Sequence, residues 1–530
     1  MGRGIAIIGA GPAGLAALKA AQEEGLEAVA FEARAECGGL WSPDDGLVWR
    51  SLKTNLSRYT CGFSDHPHDP DSGLFPSAAR MAAYLRGYAR AHDLTGRIRH
   101  GHRVVAVTRA GAGWRLIADA GGRMVAYEAD AVIVASGVFA QAALPPGAML
   151  GVDARVSHAA SYRGPEGFAG RRVVVVGGAF SGADIAAEIS GCAADTVMLI
   201  RRPAWYVPRL VPAPQAMMSH TSPTLPPPRL PPPRLPPPRL PPPRLPMDLV
   251  VNARAEAARA RGLSPAVIAA ERHAWLRGIV GDQGLLHPLL QVPDDGRLAP
   301  MVISDAVPDA IRSGRLRVMT AAQFDARRMV LHDGRHDLPV DDVIYATGYA
   351  PRLEMLPADV RAAVGYDPDD RLQPVLLGQS VFPDGIPGMA FVGMYRGPYF
   401  GVMDLQARWA AGVLSGRLPA PDRPAMDRAM AMERAIRDQR PRPQFPHADY
   451  PDMCDALAAR LDVMPDLDQT TTFGRFLWQG PVLPAHYRLR GAHARPAGAR
   501  AVIAEVAALF GHDLRPQPVD PSSSAQQRSL

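Results

Sequence analysis

Two short glycine-rich segments constrain the fold of this chain more than any other feature of its sequence. The segment GAGPAG runs from Gly9 to Gly14, and GGAFSG runs from Gly177 to Gly182. Each follows an apolar run typical of a buried parallel strand and precedes a stretch of helical composition. In this setting the glycines allow a tight turn and a close approach of a pyrophosphate to a helix N-terminus. The pair predicts two dinucleotide-binding sites in one protein.

The first glycine segment has the neighbours that a dinucleotide site requires. The strand Ile5–Ile8 precedes it, the helical stretch Pro12–Glu24 follows it, and a second strand over Ala28–Phe31 comes next. That second strand ends in Glu32, where a carboxylate can accept hydrogen bonds from ribose hydroxyls. We therefore expect FAD at this site. The residues predicted to bind it from this pattern are Gly9, Gly11, Pro12, Ala13, Gly14 and Glu32.

The second glycine segment repeats the architecture without the acid. The offset that leads from Gly9 to Glu32 leads from Gly177 to Ile200, which is followed by Arg201 and Arg202. Two guanidinium groups suit a 2′-phosphate, which a carboxylate would repel, so NADPH is expected here. One departure is Ala179 in place of the middle glycine. Its methyl group crowds the pyrophosphate and predicts weaker NADPH binding.

The order of the segments predicts how the domains are connected. Two further strand-like runs, Ala131–Gly137 and Asp342–Tyr349, bracket the second glycine segment. The simplest topology is an α/β fold in which one Rossmann-like domain is inserted into another, as in glutathione-reductase-like flavoproteins. The predicted parts are the FAD domain (1–163 and 341–420), the inserted NADPH domain (164–340), a helical extension packing on the FAD domain (421–518) and a disordered tail (519–530). Residues 312–320, 329–331 and 341–346 are predicted strands, and 426–437, 454–461 and 499–510 are predicted helices.

A proline-rich repeat explains most of the positive charge. Four tandem copies of LPPPR lie between Leu225 and Arg244, and without their four arginines the net charge falls from +6 to +2. Such a balance gives no indication of nucleic-acid binding. Repeats of this kind favour an extended polyproline II conformation. The tract over 225–246 is therefore predicted to be a solvent-exposed spacer, with partner binding as the less favoured alternative.

The cysteine pattern excludes several classes of protein. The four cysteines, Cys37, Cys61, Cys192 and Cys454, include no CxxC pair, which argues against a disulfide framework, a zinc ribbon and the flavoprotein disulfide reductases. The fifteen histidines form no HExxH pattern, so no metal site is predicted. No apolar run has the length of a membrane span. A cytoplasmic protein without a membrane partner is expected.

Further segments together resemble the flavin-containing monooxygenase family. They cover nearly the whole chain apart from the proline tract and the residues after about 512. The matching segments are GGLW (38–41), SLKTN (51–55), VSHAASY (156–162), SGADIAAEI (181–189), RRPAW (201–205), ATGY (346–349), DLQARWA (404–410), GPVLPAHYRLRGAH (480–493) and GAR (498–500). The polar end PSSSAQQRSL stands where animal members have a hydrophobic anchor. The resemblance therefore implies a soluble, bacterial-type member.

The resemblance also implies roles for individual residues. Asn55 stands where the family has an asparagine beside the flavin ring, and it is the predicted catalytic residue. Further residues implied to bind the two cofactors are Gly39, Leu40, Trp41, Thr54, Thr347 and Gly348, and those implied to bind NADPH are Ser181, Gly182, Ala183 and Asp184.

The activity implied by the resemblance is oxygenation of a soft nitrogen or sulfur atom. NADPH would reduce FAD, the reduced flavin would combine with dioxygen, and the resulting C4a-hydroperoxide would transfer oxygen to a small amine or thioether. Because the cofactor supplies this chemistry, no side-chain nucleophile is expected. The protein must instead exclude water and retain the nicotinamide.

Departures from the family pattern keep other functions open. Val152 and Ala154 replace the first half of the FxGxxxHxxxY motif, whose second half is present as His158 and Tyr162. His158 is predicted to be structural, and Tyr162 favours a heteroatom substrate because Baeyer–Villiger monooxygenases typically have tryptophan there. The alternatives are a Baeyer–Villiger enzyme or NADPH oxidase on the same scaffold, and an impaired flavoprotein whose proline tract binds a partner. The oligomeric state stays open, with a homodimer as one option.

Overall fold

The computed structural model of this protein describes residues 4–42, 46–145, 148, 155–213, 243–326, 328–332, 334, 336–397 and 399–514. Several sequence predictions fall outside these residues. They concern Val152 and Ala154, the LPPPR repeats up to residue 242, and the tail over 519–530.

Strands and helices follow one another along the whole described chain. The strands are β1 (Gly4–Ile8), β2 (Glu27–Phe31), β3 (Ile98–Arg99), β4 (His102–Ala110), β5 (Gly113–Ala120), β6 (Arg123–Ala129), β7 (Ala131–Val134), β8 (Gln141–Ala142), β9 (Arg155–His158), β10 (Arg172–Val176), β11 (Asp195–Ile200), β12 (Trp205–Val207), β13 (Leu210–Pro212), β14 (Arg244–Pro246), β15 (Met301–Ile303), β16 (Leu316–Thr320), β17 (Phe324–Asp325), β18 (Val330–His332), β19 (Asp337–Pro339), β20 (Asp342–Tyr345), β21 (Tyr349–Ala350) and β22 (Met389–Phe391). The α-helices are α1 (Pro12–Glu23), α2 (Ala78–Ala91), α3 (Phe180–Ile189), α4 (Met247–Val251), α5 (Arg254–Ala260), α6 (Pro265–Val280), α7 (Val307–Arg312), α8 (Ala358–Ala363), α9 (Phe400–Ser415), α10 (Arg423–Asp438), α11 (Tyr450–Arg460), α12 (Thr472–Gln479) and α13 (Pro496–Leu509).

The first sheet is parallel and has the strand order β22-β7-β1-β2-β3. Because successive side chains of a strand point to opposite faces, β1 contributes to two cores. Ile5 and Ile7 pack with residues of α1, α2 and α9, whereas Ala6 and Ile8 pack on the side of the antiparallel β4-β5-β6 meander. The sheet is thus covered on both faces, which explains why its strands are almost wholly apolar.

The second sheet repeats this plan with the order β16-β11-β10-β20-β9, again parallel. Val173 and Val175 pack with α3 and α7, and Val174 packs with β18 of the antiparallel β17-β18-β19 meander. The fifth strand differs between the two sheets: it follows the other four along the chain in the first sheet (β22) and precedes them in the second (β9). The predicted fold class, two Rossmann-like α/β domains, is confirmed.

Two details of the second sheet differ from expectation. The predicted strand over 312–320 is wrong at its start, because Arg312 ends α7 and the strand begins only at Leu316. Gly314 separates the two elements with a φ of +71°, which favours glycine. Strand β9 (Arg155–His158) pairs with β20 although it precedes residue 164, where the sequence places the start of the NADPH domain. The domain limits stay a prediction.

The carboxy-terminal helices pack against elements of both domains. Helix α11 contributes Met453 and Leu457 to the core around α1 and α9. Helix α13 contributes Ile503 to a separate core with Trp205 and Val211 of β12 and β13. In the described part of the chain, no helix combines the length and apolar character that crossing a membrane requires.

Candidate active site

The two glycine turns have the same backbone geometry. Gly9 and Gly177 have φ values of +101° and +120°, which side chains disfavour. A Cβ on Gly14 would overlap the carbonyl oxygen of Gly9, and a Cβ on Gly182 would overlap that of Gly177. Bare glycine is therefore required at both ends of each turn for the helix to pack against the strand.

In each sheet, the residue that follows a neighbouring strand, β7 or β20, lies directly against the first glycine of the turn. A Cβ on Gly9 would lie 2.7 Å from the carbonyl oxygen of Ala135, and one on Gly177 would lie 2.6 Å from that of Ala346. Neither α1 nor α3 has a side-chain cap at its N-terminus. The first-turn amides of both helices are thus left for an external anion, and the helix dipole favours a phosphate there.

At the first turn, Glu32 is buried at the end of β2 and holds the turn in place. Its Oε2 accepts a hydrogen bond of 2.8 Å from the Ala10 amide, and its Oε1 accepts one of 2.9 Å from the Arg34 amide. A carboxylate oxygen can accept more than one bond. Glu32 can therefore support the turn and still accept hydrogen bonds from a ribose.

A second glycine pair faces the first turn. The Gly38 amide donates to the Ala10 carbonyl at 2.9 Å, and a Cβ on Gly39 would lie 3.0 Å from Cα of Gly11. Gly39 begins a short 3-10 helix that ends at Trp41, whose side chain is buried. Leu40, between them, is half-buried against the first core. The predicted residues Gly39, Leu40 and Trp41 thus lie beside the predicted FAD turn.

A third element at this turn has no counterpart among the predicted site residues. Gly393, two residues after β22, has a φ of +73°, and a Cβ there would lie 2.7 Å from Cβ of Ala13. Its other close neighbour is Met403 in the first turn of α9. Helix α9 also lacks a side-chain cap at its N-terminus. The N-termini of α1 and α9 therefore meet at Gly393, which increases the positive potential of the site.

At the second turn, Ala179 adopts an unstrained backbone conformation. Its φ of −83° and ψ of −175° are close to the −72° and −172° of Gly11. Its side chain is exposed, whereas that of Ala183 is buried in the core. The neighbouring Gly178 carbonyl accepts a hydrogen bond of 2.8 Å from the Tyr206 hydroxyl. Any crowding by Ala179 therefore concerns the ligand rather than the fold of the turn.

The arginine pair lies at the end of β11, as the sequence predicts for a 2′-phosphate site. Arg201 and Arg202 are both exposed. Among the residues that the structure describes, neither has an ion-pair partner. Their charge is available to a bound anion, and their assignment to NADPH stays a prediction.

Asn55 lies between the two domains, in contact with Arg209, a residue that no sequence motif marks. Thr54 is held by its amide, which donates to the Pro76 carbonyl at 2.9 Å, and by its hydroxyl, which donates to the Leu56 carbonyl at 2.7 Å. Arg209 then donates from Nε to the Thr54 carbonyl at 3.1 Å and from Nη2 to Oδ1 of Asn55 at 3.2 Å. Asn55 itself is half-buried.

Arg209 also lies close to two carboxylates of the second domain. Its Nη1 donates to Oδ2 of Asp305 at 2.7 Å, and its Nη2 lies 3.6 Å from Oδ2 of Asp184. Burial raises the pKa of Asp184 to about 6, although Arg209 opposes the shift. Asp184, predicted to bind NADPH, thus lies opposite Arg209.

The remaining predicted residues lie where the two domains are joined. Thr347 donates from its hydroxyl to the Ala143 carbonyl at 2.6 Å, and the Gly348 carbonyl accepts from the Ala143 amide at 2.9 Å. His158 is buried in β9, its Nδ1 accepts from the Ala160 amide at 3.0 Å, and burial lowers its pKa. Tyr162 donates to Oε2 of Glu188 at 2.8 Å.

Comparisons with known proteins agree with this arrangement. A family model described as flavin-binding monooxygenase-like matches residues 2–222 and 246–526. Flavin-containing monooxygenase 5 of Oryctolagus cuniculus is 28% identical over 538 residues, which cover 95% of this chain and 92% of that protein. S-allyl-L-cysteine S-oxygenase from Allium sativum has a TM-score of 0.58 at 20% identity, over 90% of this chain and 92% of its own. An open crystal structure of cyclohexanone monooxygenase has a TM-score of 0.57 at 15% identity, over 86% and 97% of the two chains.

The fold and the two glycine turns define a two-domain α/β protein, and the family match indicates that its cofactors are FAD and NADPH. The match of the family model to nearly the whole chain is more specific. This chain belongs to the flavin-binding monooxygenase-like family and is a flavin-dependent monooxygenase. The family match supports an active enzyme over the alternative of an impaired flavoprotein whose proline tract binds a partner. Residues 223–245, which contain nearly all of the LPPPR tract, lie outside the family match.

Proposed function

We propose that the enzyme transfers one oxygen atom from dioxygen to the nitrogen of a small amine or the sulfur of a thioether. The second oxygen atom leaves as water, and NADPH provides the two electrons. Bound FAD supplies the activation of dioxygen once NADPH has reduced it. The chain's own residues then have three tasks: to hold both nucleotides, to orient a donor toward the reacting region and to exclude water.

The observation that carries this proposal is the neutral amide of Asn55, which Arg209 of the second domain contacts across the domain boundary. Its Oδ1 is engaged by Arg209, so its amide hydrogens are the groups left to face a cofactor. A fixed donor in a partly dry site is a preorganised dipole, which stabilises developing charge better than water does. Oxygen transfer to an amine or thioether requires no further acid or base from the chain.

Both nucleotides can be held by the residues that the sequence predicts. We assign FAD to the first turn, with Glu32 on the ribose and Gly39 and Trp41 beside the pyrophosphate. We assign NADPH to the second turn, with Arg201 and Arg202 on the 2′-phosphate.

Water exclusion is supported by a segment of the carboxy-terminal extension. Gln444 pairs with the backbone of Met301, accepting from its amide at 3.0 Å and donating to its carbonyl at 2.9 Å. The ring of Phe445 lies 6.5 Å from that of Phe180, the first residue of α3. This segment lies beside the first residue of α3, and we propose that it helps to exclude water from the second turn.

Baeyer–Villiger oxidation is the second candidate, because the likeness to cyclohexanone monooxygenase is as close in TM-score as that to the S-oxygenase. Tyr162 favours the first candidate. Baeyer–Villiger monooxygenases typically have tryptophan at this position, whereas here the tyrosine hydroxyl donates to Oε2 of Glu188 in α3 at 2.8 Å.

A substrate panel separates the candidates. The purified enzyme with bound FAD would be given NADPH and trimethylamine, a thioether or a cyclic ketone, and NADPH consumption, hydrogen peroxide and oxygenated product would be measured. An N-oxide or sulfoxide supports the proposal, a lactone alone supports Baeyer–Villiger oxidation, and peroxide alone with every substrate indicates an NADPH oxidase.

Asn55→Ala and Asn55→Asp should lower product more than NADPH oxidation. An unchanged peroxide yield in both variants would remove Asn55 from the proposed site.

A further inference from the structure

We propose that Arg209 is a positioning residue that fixes the orientation of the Asn55 amide and couples it to the helix behind the NADPH turn. This inference rests on the proposed function of Asn55. Nothing in the pattern of glycines and acids leads to Arg209, because its role arises only from contacts made across the domain boundary.

The geometry of the Arg209 guanidinium fixes the orientation of the Asn55 amide. Its planar group presents donors in a fixed fork and has no acceptor. The edge formed by Nε and Nη2 holds two acceptors of one loop, the Thr54 carbonyl at 3.1 Å and Oδ1 of Asn55 at 3.2 Å. A flipped amide would place its NH₂ group against these donors, so only one orientation of Asn55 is favourable. That orientation directs the NH₂ group away from Arg209.

Arg209 is itself held by two carboxylates of the second domain, which couple it to the NADPH turn. Asp305 follows β15, and it accepts from both the Arg209 amide, at 2.9 Å, and Nη1, at 2.7 Å. Asp184 belongs to α3, directly after the glycine turn, and lies 3.6 Å from Nη2. The side chains of Arg209 and Asp184 are only 13% and 17% exposed, so their contact is poorly screened by solvent, whereas the side chain of Asp305 is 53% exposed.

The arrangement connects nucleotide binding with the orientation of Asn55. A dinucleotide on the second turn contacts the start of α3, and Asp184 lies one turn further along the same helix. A shift of α3 therefore moves the carboxylate that faces Nη2, the same nitrogen that holds Asn55. Retained NADP and a correctly oriented amide would then depend on each other.

The test uses holoenzyme variants with a matched control. Arg209→Lys keeps the charge but removes the fork, and Arg209→Gln removes both. Arg317→Lys is the control, because Arg317 forms a similar two-point pair with Asp195 between β16 and β11 and does not contact Asn55. For each variant we would measure hydrogen peroxide per NADPH oxidised, the dissociation constant of NADP from the oxidised enzyme, bound FAD and the melting temperature.

The expected result is a several-fold higher peroxide fraction and weaker NADP binding in both Arg209 variants, with FAD content and melting temperature near those of the parent. Arg317→Lys should leave the peroxide fraction unchanged. Because Arg209 acts through Asn55, Arg209→Gln should add no further peroxide in an Asn55→Ala background. Parental peroxide fraction and NADP affinity in Arg209→Gln, or additive effects in the double variant, would overturn the proposal.

Two further measurements distinguish a positioning role of Arg209 from an effect on folding and from a failure of the proposed oxygenation. Asp305→Asn weakens only the exposed anchor of Arg209 and should give a smaller rise in peroxide; an unchanged fraction would count against the coupling. A crystal structure of Arg209→Gln should show the Asn55 amide in a different or mixed orientation, whereas the parental orientation contradicts the proposal. Absence of any oxygenated product in the parent would refute the proposed function, but NADP affinity and amide orientation would still decide the role of Arg209.

Discussion

Arg488 and Asp404 form an ion pair that solvent does not reach. Nη2 of Arg488 lies 3.3 Å from Oδ1 of Asp404, and the two residues are 0% and 2% exposed. The Ser64 hydroxyl bridges them, since it accepts from Nε of Arg488 at 2.7 Å and donates to Oδ2 of Asp404 at 2.6 Å. Arg488 also lies 3.4 Å from the buried carboxylate of Asp65. Arg488 of the carboxy-terminal segment thus lies against two buried acids, and one of them, Asp65, also pairs with Lys19.

Removal of this cation should destabilise the fold strongly. Arg488→Met keeps much of the apolar volume but leaves buried carboxylates without their partner, which typically costs about 3–5 kcal/mol. Burial alone would raise the pKa of Asp65, but Arg488 and Lys19 hold it below its ordinary value. Urea unfolding measures the loss. Arg490→Met is the control, because Arg490 is exposed and pairs at 3.5 Å with exposed Asp462, a contact worth at most about 1 kcal/mol. Equal midpoints for the two variants would contradict the role of Arg488.

Adding a single methyl group to one glycine turn should abolish binding at that nucleotide site and leave the other site intact. Gly14→Ala places a Cβ against the Gly9 carbonyl and should abolish retention of FAD, whereas Gly182→Ala does the same at Gly177 and should abolish NADPH binding while FAD stays bound. Absorbance of bound flavin and NADPH titration measure the two effects. Gly96→Ala is the control, since a Cβ there meets nothing within 4 Å. Loss of FAD in Gly182→Ala with normal folding would show that the sites are assigned incorrectly.

Ala179→Gly should strengthen NADPH binding. The backbone at Ala179 already matches that of Gly11, so glycine requires no rearrangement, and removal of the methyl group opens the approach to the pyrophosphate. A gain of up to about tenfold in affinity corresponds to about 1.4 kcal/mol. Titration of the oxidised enzyme with NADPH measures it, and the amount of bound FAD should stay the same. Unchanged or weaker affinity would mean that the methyl group does not face the phosphates.

The nucleotide turns could be predicted from the sequence because their determinants are local. A strand, a glycine turn and a helix lie within a few residues of one another, and Glu32 and Arg201 follow at the end of the next strand. Gly393 and Arg209 could not be predicted in this way. Gly393 is required because the end of β22 brings it against Ala13 of α1, and Arg209 matters because it reaches the loop of Asn55 from another domain.

The error at Arg312 has a different physical origin. The misassigned residues are polar, with the sequence RSGR over 312–315, and only the apolar run that begins at Leu316 belongs to the strand. Here Val307 and Ala310 lie on one face of α7 and pack in the second core, and the following Gly314 ends the helix. Recognition of that glycine as a helix stop would have moved the predicted start of the strand.

Arg201 and Arg202 should determine the preference of the enzyme for NADPH over NADH. Arg201→Gln with Arg202→Gln removes the charges that a 2′-phosphate would contact, but it leaves the glycine turn intact. The dissociation constant for NADPH should rise by at least about tenfold, since a charge-assisted hydrogen bond contributes about 1.5–3 kcal/mol, and that for NADH should change little. Binding titrations with both nucleotides measure this ratio. A parallel loss of affinity for both would indicate a structural role for the pair.

Asp184 should make stability depend on pH. Its pKa is raised by burial to about 6 in the folded enzyme, above an ordinary value of about 3.9. The folded state therefore binds the proton more tightly than the unfolded state, so this contribution to stability is fully present below pH of about 4 and is lost as pH rises through about 6. Asp184→Asn should remove that part of the decline. Urea unfolding from pH 4 to pH 7 would show a flatter dependence in Asp184→Asn than in the parent, and the exposed Asp309→Asn should behave like the parent. Identical slopes for Asp184→Asn and the parent would place the titration at another group.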